Sequence, residues 1–288
     1  MFKFIHAADF HLDSAFGALT ARQAVARRRE SREVAARLAN YVNSHGIDLV
    51  LLAGDLFDSG SAFRETGEQL AEALGRMGAQ VCIAPGNHDW YGPGSPWQTV
   101  NWPENVHIFA ENRLTALELP QWNAVVHGAA FTGPEQAAGF LAGFTAPADG
   151  KVHLGLLHGE LDPAEGRYDP IRREEVAASG LAYLALGHIH KRMEPLTIGE
   201  TLCAWPGCIE GRGFDELGEK GFYEGTVSDD GRVSLTFVPF ARRRYEILEV
   251  DVTGKSPRDA VEAALPPSTA AMRSVSSGLI LKRLEHSF

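Results

Sequence analysis

A chain of 288 residues, 44% of them hydrophobic and 22% charged, can bury a sizeable core in one or two domains. Its formal charge of −10 disfavours tight binding of a polyanion by the protein's own basic surface, although two bound divalent ions would add positive charge where a phosphate must sit. No run reaches the roughly 18 to 20 apolar residues of a membrane helix, the first residues lack the sections of a secretion signal, and three scattered cysteines exclude a disulfide framework, so we expect a cytoplasmic protein without a membrane partner.

Five short apolar runs of about strand length recur along the first two thirds of the chain, at 2–7, 48–53, 80–84, 153–157 and 181–186. Their continuous apolar character predicts strands that are buried on both faces. The helical spacing of apolar residues predicts two helices between the first three runs, over 20–43 and 61–77. This alternation of strands and helices predicts a layered α/β core.

The segment 91–102 is rich in Gly, Pro and Trp and predicts a long loop. Its aromatic side chains, together with Trp90, either stack on an unpaired base or pack the loop itself. After Gly199 the pattern becomes β-like at 221–227, 233–238 and 245–252, and we expect these runs to complete a second sheet.

Potential metal ligands follow each of the five apolar runs within a few residues. Parallel strands deliver the residues just past their carboxyl ends to one crevice, so these side chains are expected to converge. Carboxylate oxygen, amide oxygen and imidazole nitrogen together suit Mn²⁺, Fe²⁺ or Zn²⁺. Two such ions, about 3.5 to 4 Å apart, can share a bridging carboxylate and clamp a phosphate for in-line attack. The candidates are Asp9, His11, Asp55, Asn87, His88, Asp89, His158, His188 and His190.

These candidates lie in five short motifs: Asp9-Phe-His11, Gly54-Asp55-Leu-Phe-Asp58, Gly86-Asn87-His88-Asp89, His158-Gly159 and Gly187-His188-Ile-His190. In order and approximate spacing the motifs resemble the five signatures of the calcineurin-like metallophosphoesterases, over about residues 1–250. The resemblance implies an α/β fold of four layers in the order αββα, in which two mixed β-sheets form a sandwich flanked by helices. A catalytic domain is expected over 1–252, followed by a short extension, 253–288, as a vestigial or truncated capping region.

The resemblance also implies a role for each candidate. One ion is expected on Asp9, His11 and His190, the other on Asn87, His158 and His188, with Asp55 bridging them. His88 is expected near the ions, where it stabilises the pentacovalent phosphate or protonates the leaving oxygen, with Asp89 as its orienting partner. The expected cofactors are two divalent ions that activate a hydroxide, with Mn²⁺ favoured over Mg²⁺, Fe²⁺ or Zn²⁺.

The run from Phe4 to Asp13 is similar to the start of bacterial DNA repair exonucleases of the YhaO and SbcD type. Later stretches agree with this similarity, namely Trp205-Pro206-Gly207-Cys208, Phe214-Asp215-Glu216 and Glu219-Lys220-Gly221-Phe222. This similarity implies DNA as substrate, cut as exonuclease and endonuclease, with a coiled-coil ATPase as partner and a homodimer. Many of these nucleases carry a histidine where this chain has Asp58. Two alternatives stay open: a phosphodiesterase or phosphatase for small phosphoesters such as cyclic nucleotides, and a non-catalytic metal-binding scaffold for a repair ATPase.

Overall fold

Two six-stranded sheets form the centre of the computed structural model, which describes residues 1–59, 62–251, 256, 258–260 and 275–282. In chain order the strands are β1 Phe2–Ala7, β2 Leu49–Leu52, β3 Gln80–Ile83, β4 Val106–Ile108, β5 Thr115–Leu119, β6 Ala124–Gly128, β7 Val152–His158, β8 Glu160–Leu161, β9 Pro170–Ile171, β10 Tyr183–Gly187, β11 Leu196–Ile198, β12 Thr201–Ala204, β13 Gly221–Val227, β14 Val233–Pro239, β15 Arg244–Asp251 and β16 Val275–Lys282. The helices are α1 Ala21–His45, α2 Arg64–Gly75, α3 Pro96–Thr99 and α4 Arg173–Ala178, with a 3-10 turn at Pro120–Trp122.

The first large sheet has one antiparallel edge, at β13 and β14, whereas the second has antiparallel strands at both edges. The first sheet has the order β14-β13-β1-β2-β3-β4, and its strands β1 to β4 run parallel. The second has the order β11-β12-β10-β7-β6-β5, with β12, β10, β7 and β6 parallel. The predicted α/β sandwich of two mixed sheets is therefore confirmed.

The sequence predicts that the late strands complete the second sheet, and this prediction is wrong. Strand β13 instead pairs antiparallel with β1, from Phe2 opposite Val227 to His6 opposite Tyr223, and β14 pairs with β13. The second sheet is built from segments between Thr115 and Ala204. Apolar alternation marks a strand but does not say which sheet edge it joins, because that choice depends on pairing between distant segments.

The five apolar runs become β1, β2, β3, β7 and β10, and the two predicted helices become α1 and α2. Helix α1 begins after Thr20, whose side chain forms a capping box with Gln23, and ends at Gly46 in the left-handed conformation with φ 61°. Its buried face includes Leu38 and Val42, whereas Val25 is exposed. The helix therefore lies on the sheet along a buried face that runs from Ala24 to Val42.

Alternate side chains of the first sheet contribute to two separate hydrophobic layers. Ile5 and Val50 face the helices and pack in one cluster with Leu38. Phe4 and Leu51 point the other way and join a cluster between the two sheets. A third cluster on the outer face of the second sheet includes residues of α4 and of the 129–141 segment. Burying each large aliphatic side chain contributes about 1.5 to 3 kcal/mol, so the two sheets are held firmly face to face.

Beyond Asp251 the structure describes short pieces of the predicted 253–288 extension. Residues 258–260 are helical, and β16 pairs in parallel with β15. The remaining residues of the extension lie outside the described part, and the boundary at 252 stays a prediction. Among the described helices, none combines the length and the apolar character that crossing a bilayer would require.

The carboxyl end of β10 lies against the carboxyl end of β2, and this contact yields a testable prediction. A Cβ atom at Gly187 would lie 1.8 Å from the carbonyl oxygen of Ala53 and 2.8 Å from His158 Nδ1. We expect Gly187→Ala to lower the free energy of unfolding by about 1 to 3 kcal/mol, because backbone must move to admit the methyl group. Urea denaturation followed by circular dichroism measures this. Gly133→Ala is the matched control, since nothing lies within 4 Å of its Cβ, and equal midpoints for both variants would contradict the prediction.

Candidate metal centre

The predicted ligands lie where strands of both sheets end. The first sheet contributes those after β1, β2 and β3, namely Asp9, His11, Asp55 and Asn87, and the second sheet contributes those at the ends of β7 and β10, namely His158, His188 and His190. The crevice expected at the end of one open sheet is therefore formed between the ends of two sheets. Every predicted ligand reaches it.

Four of the ligand residues have a left-handed backbone that side-chain-bearing residues rarely adopt. The φ angles are 53° at Asp9, 45° at His11, 51° at Asp55 and 86° at His188. Such conformations cost of order 1 to 3 kcal/mol each and cluster at functional sites, where the surrounding structure holds them. The strain is concentrated where the ligands turn into the crevice.

Backbone hydrogen bonds connect the turn after β1 to the turn after β2. The Asp9 amide donates to the Gly54 carbonyl over 3.1 Å, and the His11 amide donates to the Asp55 carbonyl over 2.9 Å. The two turns therefore hold their ligand side chains in a fixed relation to one another.

One set of ligands, the first ligand group, consists of Asp9, His11 and His190. The Nε2 atoms of His11 and His190 lie 3.0 Å apart, and His190 Nε2 lies 3.9 Å from Asp9 Oδ1. One donor atom from each residue can thus face a common point, as a bound cation requires.

The second ligand group consists of Asp55, Asn87, His158 and His188. Asn87 Oδ1 lies 3.1 Å from both His158 Nε2 and His188 Nδ1. Asp55 Oδ2 lies 3.3 Å from His158 Nε2 and 3.8 Å from His11 Nε2, which belongs to the first group. Asp55 is therefore placed between the groups, in the position predicted for the bridging ligand.

The buried carboxylates of the site require positive charge nearby. Burial would raise the pKa of Asp55, but the adjacent His158 outweighs it and holds the pKa well below its usual range. Burial would lower the pKa of His158, yet Asp55 and Asp9 raise it to about 10. Among the described residues, Asp9 Oδ2 is buried without a hydrogen-bond partner. A divalent cation would supply both the missing charge and the missing partner, so these residues fit one.

In all four imidazoles the ring nitrogen turned away from the ligand group lies near an oxygen atom. His158 Nδ1 donates to the Ala53 carbonyl over 2.8 Å, His188 Nε2 lies 2.8 Å from Glu160 Oε1, and His190 Nδ1 lies 2.8 Å from Glu216 Oε1. His11 Nδ1 lies 3.3 Å from Asp58 Oδ1, an ion-pair distance at which no hydrogen bond forms. Histidines that bind metals almost always have such outer partners, which fix the tautomer and the ring orientation.

His88 lies at the solvent side of the site, with its ring centroid 4.9 Å from that of His11. Its Nδ1 lies 3.1 Å from the backbone carbonyl oxygen of Asp58. Asp89, expected to orient this ring, is fully buried and accepts hydrogen bonds from the Leu56, Phe57 and Gly86 amides instead, at 2.7, 3.2 and 2.8 Å. This corrects the expected orienting role: Asp89 fixes the two ligand-bearing turns, and the carbonyl of Asp58 meets His88.

The sequence patterns do not mark Glu160, Glu216 or Arg212 as parts of the site. Glu216 and Arg212 lie on the loop between β12 and β13, where apolar periodicity carries no signal. The stretches around Gly207 and Lys220 support the same region: Lys220 Nζ donates to the His190 carbonyl over 2.9 Å, and a Cβ at Gly207 would lie 2.7 Å from that oxygen. The resemblance of these stretches to the nucleases therefore pointed to residues near the site, because Lys220 and Gly207 both contact the backbone of His190.

The aromatic loop after Asp89 packs on itself. Trp97 is 4% exposed, and its Nε1 donates to the Asp89 carbonyl. Its ring stacks on Trp102 with centroids 5.3 Å apart and meets Phe57 edge to face. The sequence left open whether these aromatic side chains stack on an unpaired base or pack the loop, and Trp97 and Trp102 pack the loop.

Comparisons with known proteins agree with this geometry. The family profile described as calcineurin-like phosphoesterase matches residues 2–192, more than half of the chain. The metallophosphoesterase YhaO of Bacillus subtilis (strain 168) is 35% identical over 264 residues, in an alignment that covers 87% of this chain and 63% of that protein. The chain thus spans less than two thirds of the length of this relative.

One solved structure is similar in fold. One crystal structure has a TM-score of 0.50 at 10% sequence identity and covers 82% of this chain and 99% of its own. The crystal structure of TT1561 from Thermus thermophilus has a TM-score of 0.43 at 13% identity, covering 72% of this chain and 89% of its own. With its sandwich of two mixed sheets and its two ligand groups, the chain belongs to the calcineurin-like phosphoesterase family.

Proposed function

We propose that the chain hydrolyses phosphodiester bonds of DNA, as a repair-type exonuclease or endonuclease that uses two divalent ions, with Mn²⁺ favoured. The observation that carries the proposal is the position of Asp55 between two groups of ligands. A shared carboxylate at this position suits a pair of ions rather than one. The resemblance of the stretches at Gly207 and Lys220 to DNA repair exonucleases supports DNA as the substrate.

When bound, divalent ions supply the charge that neutralises the phosphate and lowers the pKa of water for attack. The protein's own residues then position the groups that react. His88 is exposed beside His11, and its Nδ1 donates to the Asp58 carbonyl over 3.1 Å. This contact fixes the ring so that Nε2 can face the substrate, where a protonated imidazole donates its proton to the leaving oxygen.

The site is partly open to solvent. The side chains of His188 and His190 are 14% and 32% exposed, and His88 is exposed. This exposure admits either a DNA backbone or a small phosphoester.

Charge favours a second candidate function, a phosphodiesterase or phosphatase for small phosphoesters such as cyclic nucleotides. The formal charge is −10, and arginines that would be candidates for contacting DNA are paired with acids. Arg32 lies 2.8 Å from Asp13, and Arg243 lies 2.7 Å from Glu30. Neutralised arginines contribute little to binding a polyanion.

A non-catalytic scaffold for a repair ATPase is the third candidate, and complete ligand groups argue against it. We also propose, as expected from the sequence, that the chain has a coiled-coil ATPase partner, forms a homodimer and is cytoplasmic. The first discriminating experiments concern the metal and His88.

Removing the metal is expected to abolish hydrolysis. Protein stripped with a chelator should lose cleavage of end-labelled linear DNA, and added Mn²⁺ should restore it. Asp55→Asn should bind Mn²⁺ more than about 100-fold more weakly, since losing even an outer partner of a ligand costs about 10- to 100-fold. Asp48→Asn is the matched control, because Asp48 accepts from the Lys3 amide at the other end of β2. Isothermal titration calorimetry measures binding, and unchanged affinity in Asp55→Asn would refute the bridging position.

Replacing His88 is expected to slow the chemical step. His88→Ala should lower kcat by about 10²- to 10⁴-fold while the bound metal content stays the same, because a general acid is lost and the ligands remain. The exposed His45 at the end of α1 provides the control variant, His45→Ala, with wild-type kcat expected.

The same assay, run on linear DNA and on bis(p-nitrophenyl) phosphate, separates the candidate functions. Loss of metal-dependent DNA cleavage in His88→Ala would support the nuclease. Turnover of the small diester alone would favour the phosphodiesterase. Bound Mn²⁺ without turnover of either substrate would favour the scaffold.

A further inference from the structure

Both histidines of the first ligand group, His11 and His190, have a carboxylate near the ring nitrogen that is turned away from the group. His190 turns Nε2 toward His11 and holds Nδ1 2.8 Å from Glu216 Oε1. Glu216 is 4% exposed, so its carboxylate depends on protein groups rather than water for hydrogen bonds. An imidazole that offers the lone pair of Nε2 to a cation carries its proton on Nδ1, and Glu216 accepts that proton's hydrogen bond.

His11 has a similar arrangement on the other side of the group. Its Nδ1 lies 3.3 Å from Asp58 Oδ1, an ion-pair distance, and the ring is buried. Ser14 Oγ donates to the same carboxylate over 2.7 Å. Asp58 thus holds a carboxylate beside the buried ring of His11.

Arg212 connects the two carboxylates. Its backbone amide and Nη2 donate to Glu216 over 2.7 and 2.8 Å, and Nη1 donates to Asp58 over 3.1 Å. Nη2 also lies 3.1 Å from His190 Nδ1, so guanidinium and imidazole meet the same carboxylate oxygen. The planar guanidinium presents several donors in a fixed fork, which suits two acceptors at a set spacing.

The second ligand group is held differently. His158 Nδ1 donates to a backbone carbonyl, and His188 Nε2 meets the carboxylate of Glu160. None of the hydrogen bonds or ion pairs described for Arg212 involves these two histidines. The two groups therefore have separate outer supports and can be perturbed one at a time.

We propose that Arg212 positions the first ligand group by holding Glu216 against His190 and Asp58 against His11, so that both imidazoles present Nε2 to one cation. We call the three supporting residues, Arg212, Asp58 and Glu216, the Arg212 clamp. They are positioning residues that act through the two histidines. The inference rests on the proposed function, because it needs a metal in the first group. It does not depend on which phosphoester is cleaved.

Binding of Mn²⁺ to metal-stripped protein, measured by calorimetry and electron paramagnetic resonance, tests the clamp. The two binding steps are first assigned with His190→Ala and His188→Ala. Glu216→Gln and Arg212→Ala should each weaken the first-group step by about 10- to 100-fold and change the second by less than about twofold, the range typical of lost outer partners. Glu160→Gln is the matched control and should weaken the second-group step only.

Further variants test the fork and the coupling. Arg212→Lys keeps the charge but not the planar fork and should recover only part of the affinity that Arg212→Ala loses. The double variant Glu216→Gln/Arg212→Ala should bind the first ion little more weakly than either single variant, because residues of one network are not additive.

A metal-free readout separates positioning from a merely structural role. In long-range ¹⁵N spectra of histidine side chains, His190 of the wild type should be protonated on Nδ1, and Glu216→Gln should shift it toward the Nε2-protonated tautomer. Circular dichroism reports the fold of each variant.

Three results would overturn the clamp: unchanged affinity in both Glu216→Gln and Arg212→Ala, equal weakening of both binding steps, or an unaltered tautomer of His190. Wild-type protein that binds no divalent ion would overturn the clamp together with the proposed function. Tight metal binding without any phosphoester cleavage would refute the function alone and leave the clamp supported by its affinities.

Discussion

The contact between Asp55 and His158 is the constraint on which the rest of the structure depends. Asp55 is on the first sheet, His158 is on the second, both are buried, and their side chains lie 3.3 Å apart. A buried carboxylate is stable only beside positive charge, so the ends of the sheets must come together at this point. Gly54, Gly86 and Gly187 permit the approach, since a Cβ at any of them would lie less than 3 Å from atoms of neighbouring residues.

Neither sheet can form a ligand group alone. The first group takes Asp9 and His11 from one sheet and His190 from the other, and the second group joins Asp55 and Asn87 to His158 and His188. A metal bound there connects the sheets, and the hydrophobic layer between them in turn fixes the spacing of the ligands. Metal binding and folding are therefore coupled in free energy, because a cation that binds only the assembled crevice stabilises the assembled sheets. The strained backbone of Asp9, His11, Asp55 and His188 persists because the whole sandwich holds it.

Local sequence patterns located the strands that deliver the candidate ligands, because strand ends place their residues by geometry alone, but they did not predict β4, β5, β6, β11 or β12. The five apolar runs and the residues after them led to the observed crevice. The same patterns did not assign β13 to the first sheet, nor did they identify the outer partners of the histidines. Glu216 is 26 positions from His190, and Arg212 is 154 positions from Asp58, so these contacts follow only from how distant segments pack. Asp89 was misjudged for a related reason: its neighbour in sequence is His88, whereas its hydrogen bonds go to amides around it in space.

Asp58 shows how a single residue changes the electrostatics of such a site. A carboxylate beside His11 adds negative charge close to where a phosphate must sit, and uncompensated it would oppose substrate binding. Burial would raise the pKa of Asp58, but the adjacent His11, a hydrogen bond from Ser14 and the charge of Arg212 outweigh it and keep the pKa below its usual value, so the group stays ionised. Arg212 then offsets that charge and a second one on Glu216. The backbone carbonyl of Asp58 meanwhile holds the ring of His88, so one residue connects the arginine, a ligand histidine and the expected general acid. The arginine at position 212 therefore offsets the negative charge of the acid at position 58 beside the candidate metal centre.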